Sequence, residues 1–173
     1  MTDSPRTVVP QPLSAAAFAP FGQVIEAPGG PGRAVNLGTA RRHDWAAALE
    51  NARPGARPNV AVFRCEPQVL PFAVTLLERH PHSTQMFAAL RGGPWLVVVA
   101  PDASDGTPDA AGLCAFVARP GQAVNFARGV WHHPVVVLDE PAELLMLAWE
   151  DGSPDDCEEH PLAAPLSVGA GPE

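Results

Sequence analysis

Short runs of β-forming residues separated by turn residues fill most of this chain, and no other feature constrains its fold as strongly. The chain contains 21 prolines and 15 glycines, and no long amphipathic helical pattern follows Gln68. Short strands at near-regular spacing are typical of a β-sandwich or barrel. We therefore predict a mainly β fold. The strands predicted after Gln68 are Phe72–His80, Gln85–Leu90, Trp95–Ala100, Leu113–Ala118, Ala123–Phe126, Val130–Leu138 and Glu143–Trp149.

The first third of the chain is mixed in character. Phe21–Ile25 and Asn59–Glu66 have the composition and alternation of strands. Ser14 can cap a short helix at Ala15–Ala19, and Trp45–Asn51 predicts a second one. Short helices are therefore expected mainly near the N-terminus.

The length of 173 residues fits one domain with a sizeable core. The chain beyond Asp151 is acidic and rich in proline, a composition that disfavours a packed segment. We expect a flexible N-terminus at residues 1–7, a single domain at residues 8–166 and a flexible tail at residues 167–173.

Composition also limits the partners and the compartment. A net charge of −8 argues against a nucleic-acid partner, and no apolar run is long enough to span a bilayer. The three cysteines, Cys65, Cys114 and Cys157, are isolated and without CxxC spacing, so we expect reduced thiols in the cytoplasm. All 11 basic residues are arginine, which leaves guanidinium as the cation available to hold an anionic substrate.

Histidines recur at positions that suggest a metal site. His80 and His82 are two residues apart at the end of a predicted strand, so both imidazoles would share one face. Gln85 begins the next strand, and the adjacent pair His132 and His133 can supply one more imidazole. Such a set suits a mononuclear divalent transition metal, namely Ni, Zn, Mn or Fe. The alternative is that His80 and His82 are solvated edge residues, because the proline between them cannot join a sheet ladder.

Two charged residues alternate along predicted strands so that their side chains share a face with neighbouring residues of interest. Arg64 shares a face with Val60 and Val62, so it lies at a strand end or faces a polar cavity. Glu78 is in phase with His80, and three roles are open to it: a general base, an orienter of a ligand histidine or an outer-face charge.

Two elements of this sequence resemble the paired motifs of the cupins. The first is His80-Pro81-His82 with Gln85 and, six residues later, Gly92. The second is Gly121, then Ala127-Arg128-Gly129 after five residues, then His132 after two more. The resemblance implies a cupin-like double-stranded β-helix, also called a jelly-roll barrel, with a metal held by His80, His82, Gln85 and His132.

A narrower resemblance covers roughly Val8 to Leu166. The chain is similar to the ureidoglycolate lyase family, also called ureidoglycolate hydrolase, of allantoin and purine catabolism. The stretches that carry the resemblance are Phe18–Glu26, Arg41–Asp44, Leu77–Pro81, Thr84-Gln85 with Phe87, Asn125, Trp131–Pro134, and Gly152 with Asp156-Cys157.

That resemblance implies an enzyme that eliminates urea from (S)-ureidoglycolate to give glyoxylate, acts as a homodimer and needs no nucleotide or organic cofactor. A base and an acid are required as the C–N bond breaks, together with a grip on the carboxylate. The alternatives are a non-catalytic cupin that binds a small anion and a metal-dependent enzyme on another hydroxy acid. The catalytic residues expected are His43, Glu78, His80 and His132, and the substrate-binding residues are Arg41, Arg64, Gln85 and Asn125.

Overall fold

The computed structural model describes residues 7–27 and 29–169, and it is a β-sandwich. Strands account for 52% of it and helices for 6%, which confirms the mainly β, cupin-like fold. The helical segments in this part of the chain are α1 (Ala15–Phe18) and two 3-10 turns, Asn36–Gly38 and Ala110–Gly112. None of the helices among the described residues is long and apolar enough to cross a membrane.

The larger sheet has nine strands. Seven of them follow the order β1-β16-β8-β13-β10-β11-β2; of the other two, β14 pairs with β10 and with β7. Its strands are β1 (Thr7–Val8), β2 (Gln11–Pro12), β7 (Pro67–Gln68), β8 (Phe72–Arg79), β10 (Trp95–Ala100), β11 (Cys114–Ala118), β13 (Trp131–His132), β14 (Val136–Leu138) and β16 (Glu158–Val168).

The smaller sheet has five strands in the order β3-β12-β9-β15-β6, so β6 forms one of its edges. Its strands are β3 (Gly22–Ile25), β6 (Arg57–Cys65), β9 (Gln85–Arg91), β12 (Ala123–Phe126) and β15 (Ala142–Glu150). A separate two-stranded hairpin consists of β4 (Arg33–Val35) and β5 (Ala40–Arg42).

The main core lies between the two sheets. Alternate residues of β10, among them Trp95 and Val97, pack there with residues of the smaller sheet such as Val124 and Leu144. The residues between them in β10 belong to a second apolar cluster with Val74. Strand β10 is therefore buried on both faces, which is why its sequence is apolar without alternation.

Three of the differences between the observed and the predicted elements change the course of the chain. The predicted strand Val130–Leu138 is two strands, interrupted at residues 133–135, where Pro134 cannot donate a ladder hydrogen bond. Trp45–Asn51 is not helical, because Trp45 has a left-handed φ of 62° and Asn51 forms a bridge with Ser83. The third difference concerns the end of the chain.

The acidic C-terminal segment contains the longest strand, β16, which pairs with β8 and β1. The tail expected to be flexible from residue 167 therefore begins with two paired residues, and Val168 is fully buried. At the other end Thr7, expected to be flexible, pairs with Ser167. Gly169 is the last described residue. Residues 1–6 and 170–173, the rest of the two segments predicted to be flexible, lie outside the described part of the chain.

Candidate metal centre and its cavity

The candidate site lies on the inner side of the larger sheet, where β8 and β13 are neighbours. Glu78 of β8 is directly opposite His132 of β13 in the antiparallel ladder, so the two side chains share a face. His80 follows β8 immediately. One ligand atom from each of Glu78, His80 and His132 lies within 4.8 Å of the other two.

His132 is held tightly between the two sheets. Its side chain is 1% exposed, and its ring stacks on Phe126 of the smaller sheet with 4.2 Å between centroids and 10° between planes. Its Nε2 lies 3.1 Å from Gln85 Oε1 and 3.5 Å from Glu78 Oε1. The ring of the neighbouring His133 packs edge-on against Phe72, with 5.2 Å between centroids.

Main-chain carbonyls determine the tautomer of both histidines. Nδ1 of His132 is 2.9 Å from the carbonyl oxygen of Val130, and Nδ1 of His80 is 2.5 Å from that of Asp156. A carbonyl only accepts, so each Nδ1 carries the hydrogen. In the neutral rings each Nε2 then presents a lone pair, and that of His80 is buried without a hydrogen-bond partner.

The lone pair of His132 Nε2 faces two oxygen atoms, which is unfavourable unless something positive lies between them. A proton on Nε2, a half-turn of the Gln85 amide, or a cation bound by Nε2 and the carboxylate would each remove the conflict. Two imidazoles and one carboxylate are a known donor set for divalent transition metals, and carbonyls that fix the far ring nitrogens are typical of ligand histidines. The residues present therefore fit a metal.

The charges of the cluster depend on each other. Burial alone would raise the pKa of Glu78, but the hydrogen bond and charge of His132, together with the charges of His80 and His133, bring it below its ordinary value. Burial lowers the pKa of His80, and repulsion by His132 adds to this despite the Asp156 carbonyl and the Glu78 carboxylate. Glu78 is thus ionised and His80 neutral near pH 7, as metal ligands must be.

A cavity of about 250 Å³ opens over His80 and Gln85. The other lining residues are Arg53, Ala148, Trp149, Glu150, Gly152, Ser153, Pro154, Asp156 and Cys157. In the described part of the chain, five buried side-chain nitrogen or oxygen atoms lack a partner, and three of them belong to this lining: Arg53 Nε, His80 Nε2 and Trp149 Nε1. Buried polar atoms are rarely left unpaired, so their concentration here makes the cavity a candidate site for a ligand or for ordered water.

His82 does not join the other predicted ligands. Among the described residues, the groups of close histidine, cysteine and acidic ligand atoms include His80 and His132 but not His82. The reason is local: β8 ends at Arg79, so residues 80–82 form a bend and the shared face of a strand does not extend to them. The structure thus brings together His80 and His132 of the predicted ligand set, with Gln85 beside His132, and adds Glu78 to them.

The remaining predicted site residues lie elsewhere. Arg64 is on the outer face of β6, where its side chain is 86% exposed and pairs with Glu143 at 3.1 Å. Arg41 is exposed on the β4–β5 hairpin. His43 lines a groove that Ala88 and Ala123 also line, outside the cavity over His80.

Asn125 is fully buried on the face of β12 opposite Phe126, where its Nδ2 donates to Gln23 Oε1 and to the carbonyl of Ala48. It fastens the loop at residue 48 to the sheet. None of Arg41, His43, Arg64 and Asn125 lines the cavity.

Sequence reasoning did not find Arg53 or Asp156 as site residues. Asp156 was grouped with an acidic segment expected to be solvated, whereas it is 7% exposed beneath the cavity. A sequence signal for Asp156 was available, because the pair Asp156-Cys157 is one of the stretches that resemble the family. Arg53 lies in a polar loop, and no spacing distinguishes it from the other arginines.

The two-layered β fold with a two-histidine, one-carboxylate cluster between its sheets defines a cupin-like protein with a candidate mononuclear metal centre. Comparison with known proteins is more specific. The model of the family described as "Ureidoglycolate lyase" matches residues 5–169, and the chain belongs to that family.

Several curated relatives carry the name "Ureidoglycolate lyase", among them the following three. The protein of Burkholderia mallei (strain NCTC 10229) is 46% identical over 142 residues, which is 82% of each chain. That of Pseudomonas syringae pv. tomato is 39% identical over 155 residues, 90% of this chain and 89% of the relative. That of Azotobacter vinelandii is 40% identical over 150 residues, which is 87% of this chain and 89% of the relative.

Proposed function

We propose that this chain is a lyase that cleaves ureidoglycolate to glyoxylate and urea. The observation that carries the proposal is the cluster of Glu78, His80 and His132, of which His80 lines the cavity, in a chain that belongs to the Ureidoglycolate lyase family. The names of the curated relatives supply the substrate.

The reaction needs one proton to move. In ureidoglycolate a single carbon carries a hydroxyl, a carboxylate, a hydrogen and the urea nitrogen. The hydroxyl loses its proton, its oxygen forms the C=O bond of glyoxylate, the C–N bond breaks, and the departing nitrogen gains a proton to give urea. Atoms and electrons balance without an oxidant or a reductant.

Glu78 is the group in the cluster that suits this transfer. Its carboxylate takes the proton from the hydroxyl and returns it to the departing nitrogen, so the residue ends the cycle unchanged. A base positioned in this way contributes about 10²–10⁴-fold to the rate. Gln85 Oε1, next to His132 Nε2, is placed to accept an N–H of the urea group.

His80, His132 and one oxygen of the Glu78 carboxylate would hold the metal, for which Ni, Zn, Mn and Fe are the candidates, and the other Glu78 oxygen would take the proton. Such an ion, when bound, polarises oxygen ligands of a substrate and lowers the pKa of a bound hydroxyl. Phe126, stacked on His132, and Trp149 exclude water from one side of the cluster.

The test is release of glyoxylate from ureidoglycolate by the purified protein, with the metal content measured on the same sample. We expect turnover, its loss after chelation and its return with one of the four metals. Substrate-dependent thermal stabilisation without any glyoxylate would refute the proposal and leave a binding protein. Turnover that survives complete metal removal would refute the metal but not the lyase.

The proposal extends to a homodimer formed through the outer face of the smaller sheet. Val60 and Val62 of the edge strand β6 are 59% and 56% exposed, and Leu90 of β9 is 54% exposed. Arg64 and Glu143 lie at one end of this face. A second copy would cover the apolar side chains and place opposite charges within reach of each other. Light scattering should give twice the chain mass of 18.1 kDa.

We also place the protein in the cytoplasm, where its three cysteines would stay reduced; all three are free in the structure.

A further inference from the structure

Asp156 binds the segment of residues 80–83 through both its side chain and its main chain. Its side chain accepts hydrogen bonds from the backbone N–H of His82 at 2.6 Å and from Ser83 Oγ at 2.5 Å. Its own main-chain carbonyl accepts from His80 Nδ1 at 2.5 Å. One residue therefore fixes the backbone on one side of Pro81 and the imidazole on the other.

A buried carboxylate needs a positive partner, and Arg53 supplies it. Arg53 Nη2 lies 3.3 Å from Asp156 Oδ2 and donates to the Trp149 carbonyl at 2.7 Å, while Nη1 pairs with Asp151 at 2.9 Å. The side chains of Arg53 and Asp156 are 13% and 7% exposed. Removing one partner of such a pair leaves an uncompensated buried charge.

Arg53 is itself held close to the His80 segment by the backbone. Ala52 N donates to the His82 carbonyl at 2.8 Å, and Thr84 N donates to the Glu50 carbonyl at 3.0 Å. Asn51 brackets Arg53 with hydrogen bonds to its N–H and its carbonyl. Three chain segments, residues 50–53, 80–84 and 149–156, thus meet at the Arg53–Asp156 pair.

We propose that Arg53 and Asp156 are positioning residues that hold His80 as the Nδ1–H tautomer, with its Nε2 lone pair directed at Glu78 and His132. His80 needs this support because it follows the last residue of β8 and precedes Pro81, which has no N–H. Neither residue has to touch the substrate. The inference depends on the geometry of the cluster and not on which substrate the cavity takes.

The first test reads the tautomer directly by ¹H–¹⁵N NMR of the imidazole rings in the metal-free protein, with His80→Gln used to assign the signals. We expect the wild-type His80 ring to show one slowly exchanging Nδ1–H. In Asp156→Ala that signal is lost and the two tautomers average. In Asp156→Asn, which keeps an acceptor oxygen for His82 and Ser83, the signal is partly restored.

Asp151→Asn is the matched control, because Asp151 also pairs with Arg53 but has no hydrogen bond to residues 80–83. It should leave the His80 signal unchanged. If Asp156→Ala does not fold, Arg53→Met provides the same test from the other side of the ion pair. A His80 ring that keeps its Nδ1–H in a folded Asp156→Ala or Arg53→Met protein would overturn the proposal.

The second test measures binding of Co²⁺ to the metal-free protein by its visible absorption. Loss of residues that orient a ligand histidine lowers metal affinity by about 10–100-fold. We expect that loss in Asp156→Ala and Arg53→Met and wild-type affinity in Asp151→Asn. Equal Co²⁺ affinity in all four proteins would also overturn the proposal. Neither readout uses ureidoglycolate, so a failure here is distinct from a failure of the proposed lyase activity.

Discussion

Replacing Glu78 by glutamine should affect the metal-free protein and the active enzyme in opposite directions. In the metal-free protein His132 Nε2 lies 3.5 Å from Glu78 Oε1, and in the neutral Nδ1–H form of the ring its lone pair faces that carboxylate oxygen. A glutamine at this position has nearly the same shape and can turn its amide N–H toward that lone pair. A repulsive contact is thereby exchanged for a neutral hydrogen bond.

The size of each effect follows from the geometry. One new hydrogen bond in a buried site stabilises by about 0.5–1.5 kcal/mol. For a chain of this length that corresponds to an increase in Tm of roughly 2–4 °C per kcal/mol. The same change removes the carboxylate proposed to accept the hydroxyl proton, so kcat should fall by roughly 10²-fold or more.

The assay pairs thermal denaturation of the chelator-treated protein with steady-state glyoxylate release. Glu159→Gln is the control, because Glu159 lies in the same neighbourhood as Glu78 and Cys157 but is exposed. It should leave both readouts near wild type. A metal-free Glu78→Gln protein destabilised by more than about 2 kcal/mol would show that His132 is an imidazolium paired with Glu78 and not a free ligand. Wild-type kcat would refute the proton-transfer role.

Three further outcomes are expected from residues away from the cluster. Val62→Arg places a charge in the apolar outer face of β6 and should give a particle of 18.1 kDa by light scattering, where Val62→Thr should still dimerise. Arg64→Ala removes an exposed ion pair and should change kcat/KM by less than about twofold, so a hundredfold loss would return Arg64 to the site. Leu144→Ala empties a fully buried position and should cost about 2–5 kcal/mol in urea denaturation, whereas Leu49→Ala, half exposed and outside the proposed dimer face, should cost less than about 1 kcal/mol.

The parts of the fold that could be predicted from sequence are those in which one local pattern decides the structure. The apolar run Trp95–Ala100 is observed with the same bounds, because a short segment buried on both faces has no other way to hide its side chains. Strand β12, Ala123–Phe126, also has its predicted bounds for the same reason of burial.

The failures come from contacts distant in sequence. Strand β16 contains Pro161 and Pro165 and an acidic start, so its own composition argues against a strand, yet β8 and β1 supply ladder partners on both of its sides. Trp45–Asn51 has a helical composition, but the hydrogen bonds between residues 50–52 and 82–84 take up the end of that segment. Hydrogen bonds to distant segments override local propensity in both cases, from sheet strands for β16 and from an isolated bridge for residues 50–52.

The candidate site also has residues that local sequence patterns predict and residues that they do not. Spacing and family resemblance brought His80, Gln85 and His132 together, because the end of β8, the start of β9 and strand β13 bring them to the same space between the sheets. The phase of Arg64 with Val60 and Val62 placed it at a strand end or facing a polar cavity. In the structure the three side chains share an exposed face, where Arg64 pairs with Glu143.

The groups that orient the two histidines are main-chain carbonyls, and local sequence predicts such contacts poorly. Both Nδ1 atoms are bound by main-chain carbonyls, of Val130 and of Asp156, and any residue provides a carbonyl. What must be specified is the path of the backbone that carries each carbonyl. For Val130 that path is the turn into β13, encoded two residues from His132 itself. For Asp156 it is a loop 76 residues away from His80, kept in place by an ion pair to Arg53, so the chemistry of His80 depends on side chains that never need to reach the reacting atoms.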